Sequence, residues 1–155
     1  MTSKIEARLA ELGLALPPAS QPLNAYQNVA IVNDLAFVAG QAPMIGSERP
    51  FTGPLATDAD IEKGKKATQL SALCVLAQMK VALGGDLDRI VRCVKLGVFV
   101  NSVPGFKGQP MAANGASDLM FAVMGEAGRH ARFAVGTIGP MDFTCSDEAT
   151  FQIRP

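Results

Sequence analysis

The chain has 155 residues, 48% of them hydrophobic, and its 14 basic residues balance its 14 acidic ones. One domain of this length can bury a core without disulfide or metal support, and the zero net charge gives no general attraction to nucleic acid or to an anionic membrane. One histidine, three cysteines without a C-x-x-C pair and no run of 18 apolar residues argue against a metal site, a disulfide framework and a membrane span. We therefore expect a single cytoplasmic domain over residues 1–155 with reduced, buried thiols and no signal peptide.

Residues 1–22 predict a short helix followed by an extended connection. Ser3 and Glu6 have the spacing of a capping box, and the apolar residues after them share one helical face. Three prolines between residues 17 and 22 then favour extended chain.

The rest of the chain alternates between strand and helix patterns. Two short apolar strands are predicted to form a hairpin around Asn33 and Asp34, and a long helical stripe ends at a pair of glycines. The predicted elements are strands over 26–32 and 35–39, a helix over 58–83, a strand over 91–100, a helix over 111–124, and strands over 131–138 and 143–153. The order β-β-α-β-α-β-β predicts an α+β domain whose two long helices pack on one face of a mixed sheet.

The strand around Arg132 holds the first candidate for chemistry. Because side chains alternate along a strand, Arg132 shares its face with the small residues Ala134 and Gly136. Phe133 and its alternate neighbours lie on the other face. Open space around a guanidinium, with its planar fork of donors, suits a bound carboxylate. On residue type alone, the alternative is an exposed arginine paired with a surface acid.

Glu148 in the last predicted strand is the second candidate. It lies on the polar face of that strand, whereas Asp147 is the one charged residue on the apolar face. Glu148 can position a water or move a proton, or it can simply face solvent. If the last two strands pair as a hairpin, Arg132 and Glu148 approach one another, either within one site or as a cross-strand ion pair.

Three further residues have both a functional and a structural interpretation. Tyr26, the only tyrosine, offers a phenol to a ligand or closes the core. Asn114 near the start of a helix lines a pocket or is structural, and His130 is a general base or an ordinary loop histidine. The motifs of P-loops, dinucleotide-binding folds and α/β-hydrolases do not occur in the chain.

Five segments in order resemble the RidA/YjgF family, also called the endoribonuclease L-PSP family, between about residue 24 and residue 153. They are Tyr26 followed by Phe37-Val38-Ala39-Gly40-Gln41, then Lys95-Leu96-Gly97-Val98-Phe99-Val100, Asn114, His130-Ala131-Arg132-Phe133-Ala134-Val135, and Asp147-Glu148-Ala149. These are similar to the family's tyrosine and Ser-Gly-Gln strand, its K-x-x-V-F-V strand, its V-N-x-x-Y helix start, its P-A-R-S-x-V signature and its I-E-A ending. The N-terminal helix resembles that of a longer subgroup.

The resemblance implies a chorismate-mutase-like fold and a homotrimer with clefts between subunits. It implies a deaminase that hydrolyses enamines and imines derived from amino acids to 2-keto acids and ammonia without a cofactor. Arg132 then holds the carboxylate of a small substrate, with the backbone N–H of Ala134 close by, and Glu148 places the attacking water. Tyr26, Gly40, Asn114 and Phe133 are expected to line the same cleft.

The chain departs from the family pattern at several of these positions. Phe133 stands where the family has a small serine, Ala39 replaces the serine of Ser-Gly-Gln, and Gly136 replaces a common acid. The alternative function is a non-catalytic trimer that binds small carboxylates in the same cleft. A third hypothesis, a ribonuclease or translation inhibitor, is disfavoured by the neutral charge and the lack of a basic run.

Overall fold

The computed structural model describes residues 2–155, and its elements follow the predicted order. They are α1 (Lys4–Glu11), β1 (Val29–Val32), β2 (Leu35–Gln41), α2 (Ile61–Ala82), β3 (Ile90–Asn101), α3 (Gln109–Met124), β4 (Ala131–Thr137) and β5 (Cys145–Ile153). Short 3-10 turns lie at Asp58–Asp60, Leu87–Arg89, Gly125–Gly128 and Pro140–Asp142. The predicted bounds are therefore right to within a few residues, and the α+β class is confirmed.

The first predicted hairpin is present. Val32 pairs with Leu35 across a two-residue turn, in which Asn33 has a φ of 54°. Asparagine tolerates this left-handed conformation better than most residues, so the turn follows from the local sequence. The capping box at Ser3 and Glu6 is also formed, and it begins α1 where the sequence predicts a helix.

The predicted pairing of the last two strands is wrong. The five strands have the order β1-β2-β5-β3-β4, so β3 lies between β5 and β4. β4 runs parallel to β3 because α3 connects them as a crossover, whereas β5 is antiparallel to both β2 and β3. The physical reason is how the core is filled. β5 buries Ala149, Phe151 and Ile153 under the helices and therefore lies in the centre of the sheet. β4 carries the charged Arg132 on the same face, so it lies at the sheet edge.

The two long helices cover one face of the sheet and leave the other face open. On the covered face, Leu96, Val98 and Val100 of β3 pack with Phe151 of β5 against α2 and α3. The opposite face of the central strands presents Lys95 and Phe99 of β3 next to Phe133 of β4 and Glu148 of β5. None of the helices in residues 2–155 is long and apolar enough to cross a membrane.

The three cysteines are free thiols and buried, as the sequence predicts. Burial raises the pKa of Cys93 to about 12, so this thiol stays protonated and unreactive at neutral pH. Burial also raises the pKa values of Cys74 and Cys145. All three therefore act as small apolar core residues.

Asp147 is the charged residue that the core contains. Its side chain is 0% exposed, and neither carboxyl oxygen has a hydrogen-bond partner among residues 2–155. The hydroxyl of Ser71 on α2 accepts from the Asp147 backbone N–H at 3.1 Å and donates to the carbonyl of Gln41. Burial therefore raises the pKa of Asp147 well above its ordinary value, because the ionised form has lost its hydration.

This buried carboxyl makes stability depend on pH. An aspartate in the unfolded chain ionises near pH 3.9, whereas folded Asp147 holds its proton to a higher pH. The unfolded state therefore releases a proton first, and the free energy of unfolding falls as pH rises between the unfolded and folded pKa values. Asp147→Asn should stabilise the protein at neutral pH by about 1–3 kcal/mol, because asparagine has no proton to release on unfolding and one unit of pKa difference corresponds to about 1.4 kcal/mol.

Chemical denaturation of Asp147→Asn at several pH values measures this effect. The gain should shrink toward about pH 4, where aspartate is protonated in both states. Glu148→Gln is the matched control, since it removes the same charge from the next residue, which is only half-buried, and should change stability by no more than about 0.5 kcal/mol. An Asp147→Asn variant no more stable than the wild type at neutral pH would contradict this account.

Candidate functional site

Three neutral oxygens of α3 hold the guanidinium of Arg132. One terminal nitrogen, Nη1, donates to Asn114 Oδ1 at 2.9 Å and to Ser117 Oγ at 3.1 Å. The other, Nη2, donates to the Pro110 carbonyl at 3.3 Å. Two of the predicted site residues, Arg132 and Asn114, are therefore brought together. The register Leu96 to Arg132 and the α3 contacts place this side chain on the helix-covered face at the sheet edge.

The remaining donors of Arg132 form an unused fork. An arginine has five N–H donors, and three are taken by α3. Nε–H and one hydrogen of Nη2 have no acceptor among residues 2–155, and these adjacent donors match the spacing of carboxylate oxygens. Among residues 2–155, no carboxylate lies within 4.0 Å of the Arg132 guanidinium. Arg129 differs, because its guanidinium forms an ion pair with Glu126 at 2.9 Å. Arg132 is therefore fixed in place without being neutralised.

His130 continues the chain of hydrogen bonds from Arg132 through Ser117 to the backbone. Its Nε2 lies 2.9 Å from Ser117 Oγ, and its Nδ1 lies 2.6 Å from the carbonyl of Gly128. Burial lowers the pKa of His130 and the nearby charge of Arg132 lowers it further, while the Gly128 contact raises it. The imidazole is therefore neutral at physiological pH. We call Arg132, Asn114, Ser117 and His130 the arginine cluster, and a cavity of about 390 Å³ borders it.

Glu148 lies in a separate and larger cleft of about 570 Å³. Tyr26 and Gly40, two of the predicted site residues, line it together with Phe99 and Ser146. Gly40 is required for close packing here, because a Cβ atom at this position would lie 2.8 Å from the hydroxyl of Ser146. We call this the glutamate cleft. Three of the predicted residues therefore do share one site, but Arg132 is not in it.

The sheet separates the arginine cluster from the glutamate cleft. Arg132 faces α3, whereas Glu148 lies on the open face beside Phe133. β3 lies between the strands that carry them, so the cross-strand ion pair that the sequence allowed is not formed within one copy. Ala134 shares the covered face with Arg132, and the ring of Phe133 packs edge-on against Phe99 at 5.2 Å on the open face.

Two structural features of the site were missed in the sequence. A Cβ atom at Gly97 would lie 2.6 Å from the Phe133 ring and 2.7 Å from Glu148 Cγ, so a glycine in the central strand makes room for both side chains. Ser117 follows Asn114 by one helical turn, and this i, i+3 pair of polar residues on an apolar helix was an available signal. The sequence does not say that Arg132 is the group they meet.

The described residues do not offer a set of ligands for a metal ion. In the chain from residue 2 onward, no group of three or more His, Cys, Asp or Glu side chains is arranged to hold a metal ion. The polar groups of the site are instead suited to binding and positioning, namely a guanidinium, a carboxylate, an imidazole, a phenol and two small polar side chains.

Comparisons with known proteins agree with the architecture. A family model described as "YjgF/chorismate_mutase-like, putative endoribonuclease" matches residues 6–146. Protein TCP17 of Trypanosoma cruzi is 44% identical over 136 residues, which are 87% of this chain and 84% of that protein.

Two solved structures are similar over nearly their whole length. Atu1372 of Agrobacterium tumefaciens, a protein of unknown function, is 41% identical with a TM-score of 0.89, covering 97% of this chain and 94% of that one. A Shewanella oneidensis protein described as a "putative endoribonuclease" is 31% identical with a TM-score of 0.90, covering 96% and 99%. The chain has the chorismate-mutase-like fold and belongs to the YjgF family.

Proposed function

We propose that the protein hydrolyses reactive enamines and imines derived from amino acids to 2-keto acids and ammonia. The observation that carries the proposal is the free fork of Arg132, an arginine fixed by three neutral oxygens and left without an acidic partner. Such a group binds an anion without first breaking an ion pair, and its two adjacent donors select a carboxylate. A 2-imino acid presents that carboxylate directly beside its reactive carbon.

The chemistry needs little beyond positioning. The protonated imine, R–C(=NH2+)–COO−, has an electrophilic carbon, so water adds to it and the amine leaves as ammonium while the C–N bond breaks and a ketone forms. Glu148 has no hydrogen-bond partner among residues 2–155 and borders a cleft with room for a small ligand. We assign it to hold the attacking water, to accept its proton and to return that proton to the amine before the C–N bond breaks. Orienting the water against a fixed carbon supplies much of the acceleration.

Arg132 and Glu148 act on one substrate only if they come from different copies of the chain. Within one copy they lie on opposite faces of the sheet, with β3 between their strands. The open face of the sheet also presents Phe37, Phe99 and Val135 without a covering layer from residues 2–155. We propose a homotrimer that covers this face and joins the arginine cluster of one copy to the glutamate cleft of its neighbour.

Carboxylate binding should depend on Arg132. Arg132→Ala should weaken pyruvate binding at least about tenfold, because it removes a bidentate, charge-assisted contact. Arg129→Ala is the matched control, since Arg129 is an exposed arginine three residues earlier that Glu126 already neutralises. Isothermal titration calorimetry at fixed ionic strength measures both variants. Equal weakening by the two substitutions would indicate general charge attraction and not a site.

Turnover is tested with 2-aminoacrylate, generated in the assay from serine by a dehydratase. The wild type should accelerate release of ammonia, and Arg132→Ala and Glu148→Gln should each reduce kcat/KM by about 100-fold or more, in the usual range for loss of a positioned acid–base group. Arg129→Ala again serves as the control and should match the wild type. The proposal fails if the wild type gives no acceleration with small imino acids.

A mixing experiment tests the shared cleft. Arg132→Ala and Glu148→Gln chains co-expressed in equal amounts should give a trimer population with about a quarter of wild-type activity, since a cleft needs an intact arginine from one copy and an intact glutamate from the next. Purified mixed trimers should have about a third, because one of their three clefts is intact. Each variant alone should remain inactive, because every one of its clefts lacks one group. No recovery in verified mixed trimers would place both residues in the site of a single copy.

One feature favours a second function, carboxylate binding without turnover. Phe133 stands beside Glu148 where the family pattern has a small serine, and its ring packs against Phe99 and below the ammonium of Lys95. An aromatic wall there reduces the room for water next to the carboxylate. Binding of pyruvate that requires Arg132, together with no accelerated ammonia release, would support this function. Neither site supplies the cationic surface expected for RNA cleavage.

A further inference from the structure

The hydrogen bonds of the arginine cluster have a defined direction. The Gly128 carbonyl can only accept, so Nδ1 of a neutral His130 carries the proton and donates to it. Nε2 then has a lone pair and accepts the hydroxyl proton of Ser117. The oxygen of Ser117 in turn accepts from Nη1 of Arg132. Each group therefore donates to the next, from Arg132 through Ser117 and His130 to the backbone.

Protonation of His130 would reverse the middle bond. Nε2 would then carry a proton and donate to Ser117 Oγ, whose two lone pairs can accept from His130 and Arg132 together. The Ser117 hydroxyl proton would lose its acceptor and become free to donate elsewhere. Ser117 is only half-buried and borders the same cavity as Arg132, so a ligand held by the arginine lies within its reach.

We propose that Ser117 is a ligand-binding residue of the Arg132 site and that protonation of His130 turns its hydroxyl toward the bound carboxylate. This inference rests on the proposed carboxylate binding at Arg132. It makes the site bind its ligand together with a proton: low pH adds a third donor to the two of the arginine fork, and it adds a positive charge nearby. By reciprocity, a bound carboxylate favours the protonated imidazole to the same degree.

Other charged groups also lie near His130. They are Arg132 on β4, Asp118 on α3, Arg129 and Glu126 before β4, and Arg92 on β3. Arg129 and Glu126 bind each other, and Arg92 donates to the Arg129 carbonyl at 3.2 Å. Without ligand, burial keeps the pKa of His130 below its ordinary value, so the hydroxyl of Ser117 is turned toward His130 at neutral pH.

The chain offers a direct readout, because His130 is its only histidine. Its imidazole proton resonances can be followed by NMR as a function of pH without ambiguity, with and without saturating pyruvate. We expect pyruvate to raise the midpoint of this titration by about one pH unit and, reciprocally, pyruvate to bind about tenfold more tightly to the protonated form. The ionic strength is held constant so that general charge screening does not contribute.

Variants of the cluster separate the hydroxyl from the charge. Ser117→Ala should weaken pyruvate binding at every pH, because Nη1 of Arg132 loses one of its acceptors. In addition, the pyruvate-induced midpoint shift of His130 should fall below about half of the wild-type value, because only charge attraction remains. Ser117→Thr retains a hydroxyl and should restore the shift. Asp118→Asn is the matched control, since Asp118 borders the same cavity without bonding to Arg132 or His130. Its midpoint shift should equal that of the wild type.

Two outcomes distinguish failure of this inference from failure of the proposed function. Pyruvate that binds in an Arg132-dependent way while the His130 midpoint stays unchanged, or shifts equally in Ser117→Ala, would overturn the role of Ser117 alone. Absence of Arg132-dependent binding at every pH would overturn the proposed carboxylate site and with it this inference. Amide spectra of each variant show whether the fold is retained, and Ser117→Thr supplies a second test if the alanine variant is unstable.

Discussion

The contact on which the site depends is the attachment of Arg132 to α3. An arginine on an edge strand normally samples many rotamers, and ordering it loses side-chain entropy when a ligand binds. Here the amide of Asn114, the hydroxyl of Ser117 and the carbonyl of Pro110 hold it before any ligand arrives. Because all three are neutral, they fix the guanidinium and leave its charge available. In the proposed function, these contacts preorganise a cation for an anionic ligand.

The topology of the sheet explains why, in the proposed function, a single copy contains two incomplete sites. β5 occupies the centre because its inward residues fill the core, which leaves Glu148 in the middle of the open face. β4 is at the edge, where its arginine can reach α3 and still remain partly exposed. The strand positions that suit the core therefore keep the arginine and the glutamate apart. Only a second copy can bring the two groups together, so assembly and chemistry are linked in the proposed function.

Local patterns predicted the elements well, but they did not predict which strands are neighbours. The turn at Asn33, the capping box at Ser3 and the period-two alternation of β5 are encoded within a few residues, and each appears as expected. Pairing of β4 with β3 depends on core filling by the whole chain, so the hairpin expected between the last strands was wrong. Ser117 was not predicted either, because its hydrogen bond is to Arg132, which lies on a strand 15 residues later in the sequence.

The adjacent acids Asp147 and Glu148 show how the strand register sets chemistry. A shift of one residue would expose Phe151 and Ile153, each of which stabilises the fold by about 1.5–3 kcal/mol when buried. That loss exceeds the roughly 1–3 kcal/mol that burying one polar group without a partner costs. The apolar residues of β5 therefore outweigh Asp147, and the register that buries it also places Glu148 in the cleft. The unfavourable core residue Asp147 is therefore tolerated because the same alternation buries the apolar residues of β5.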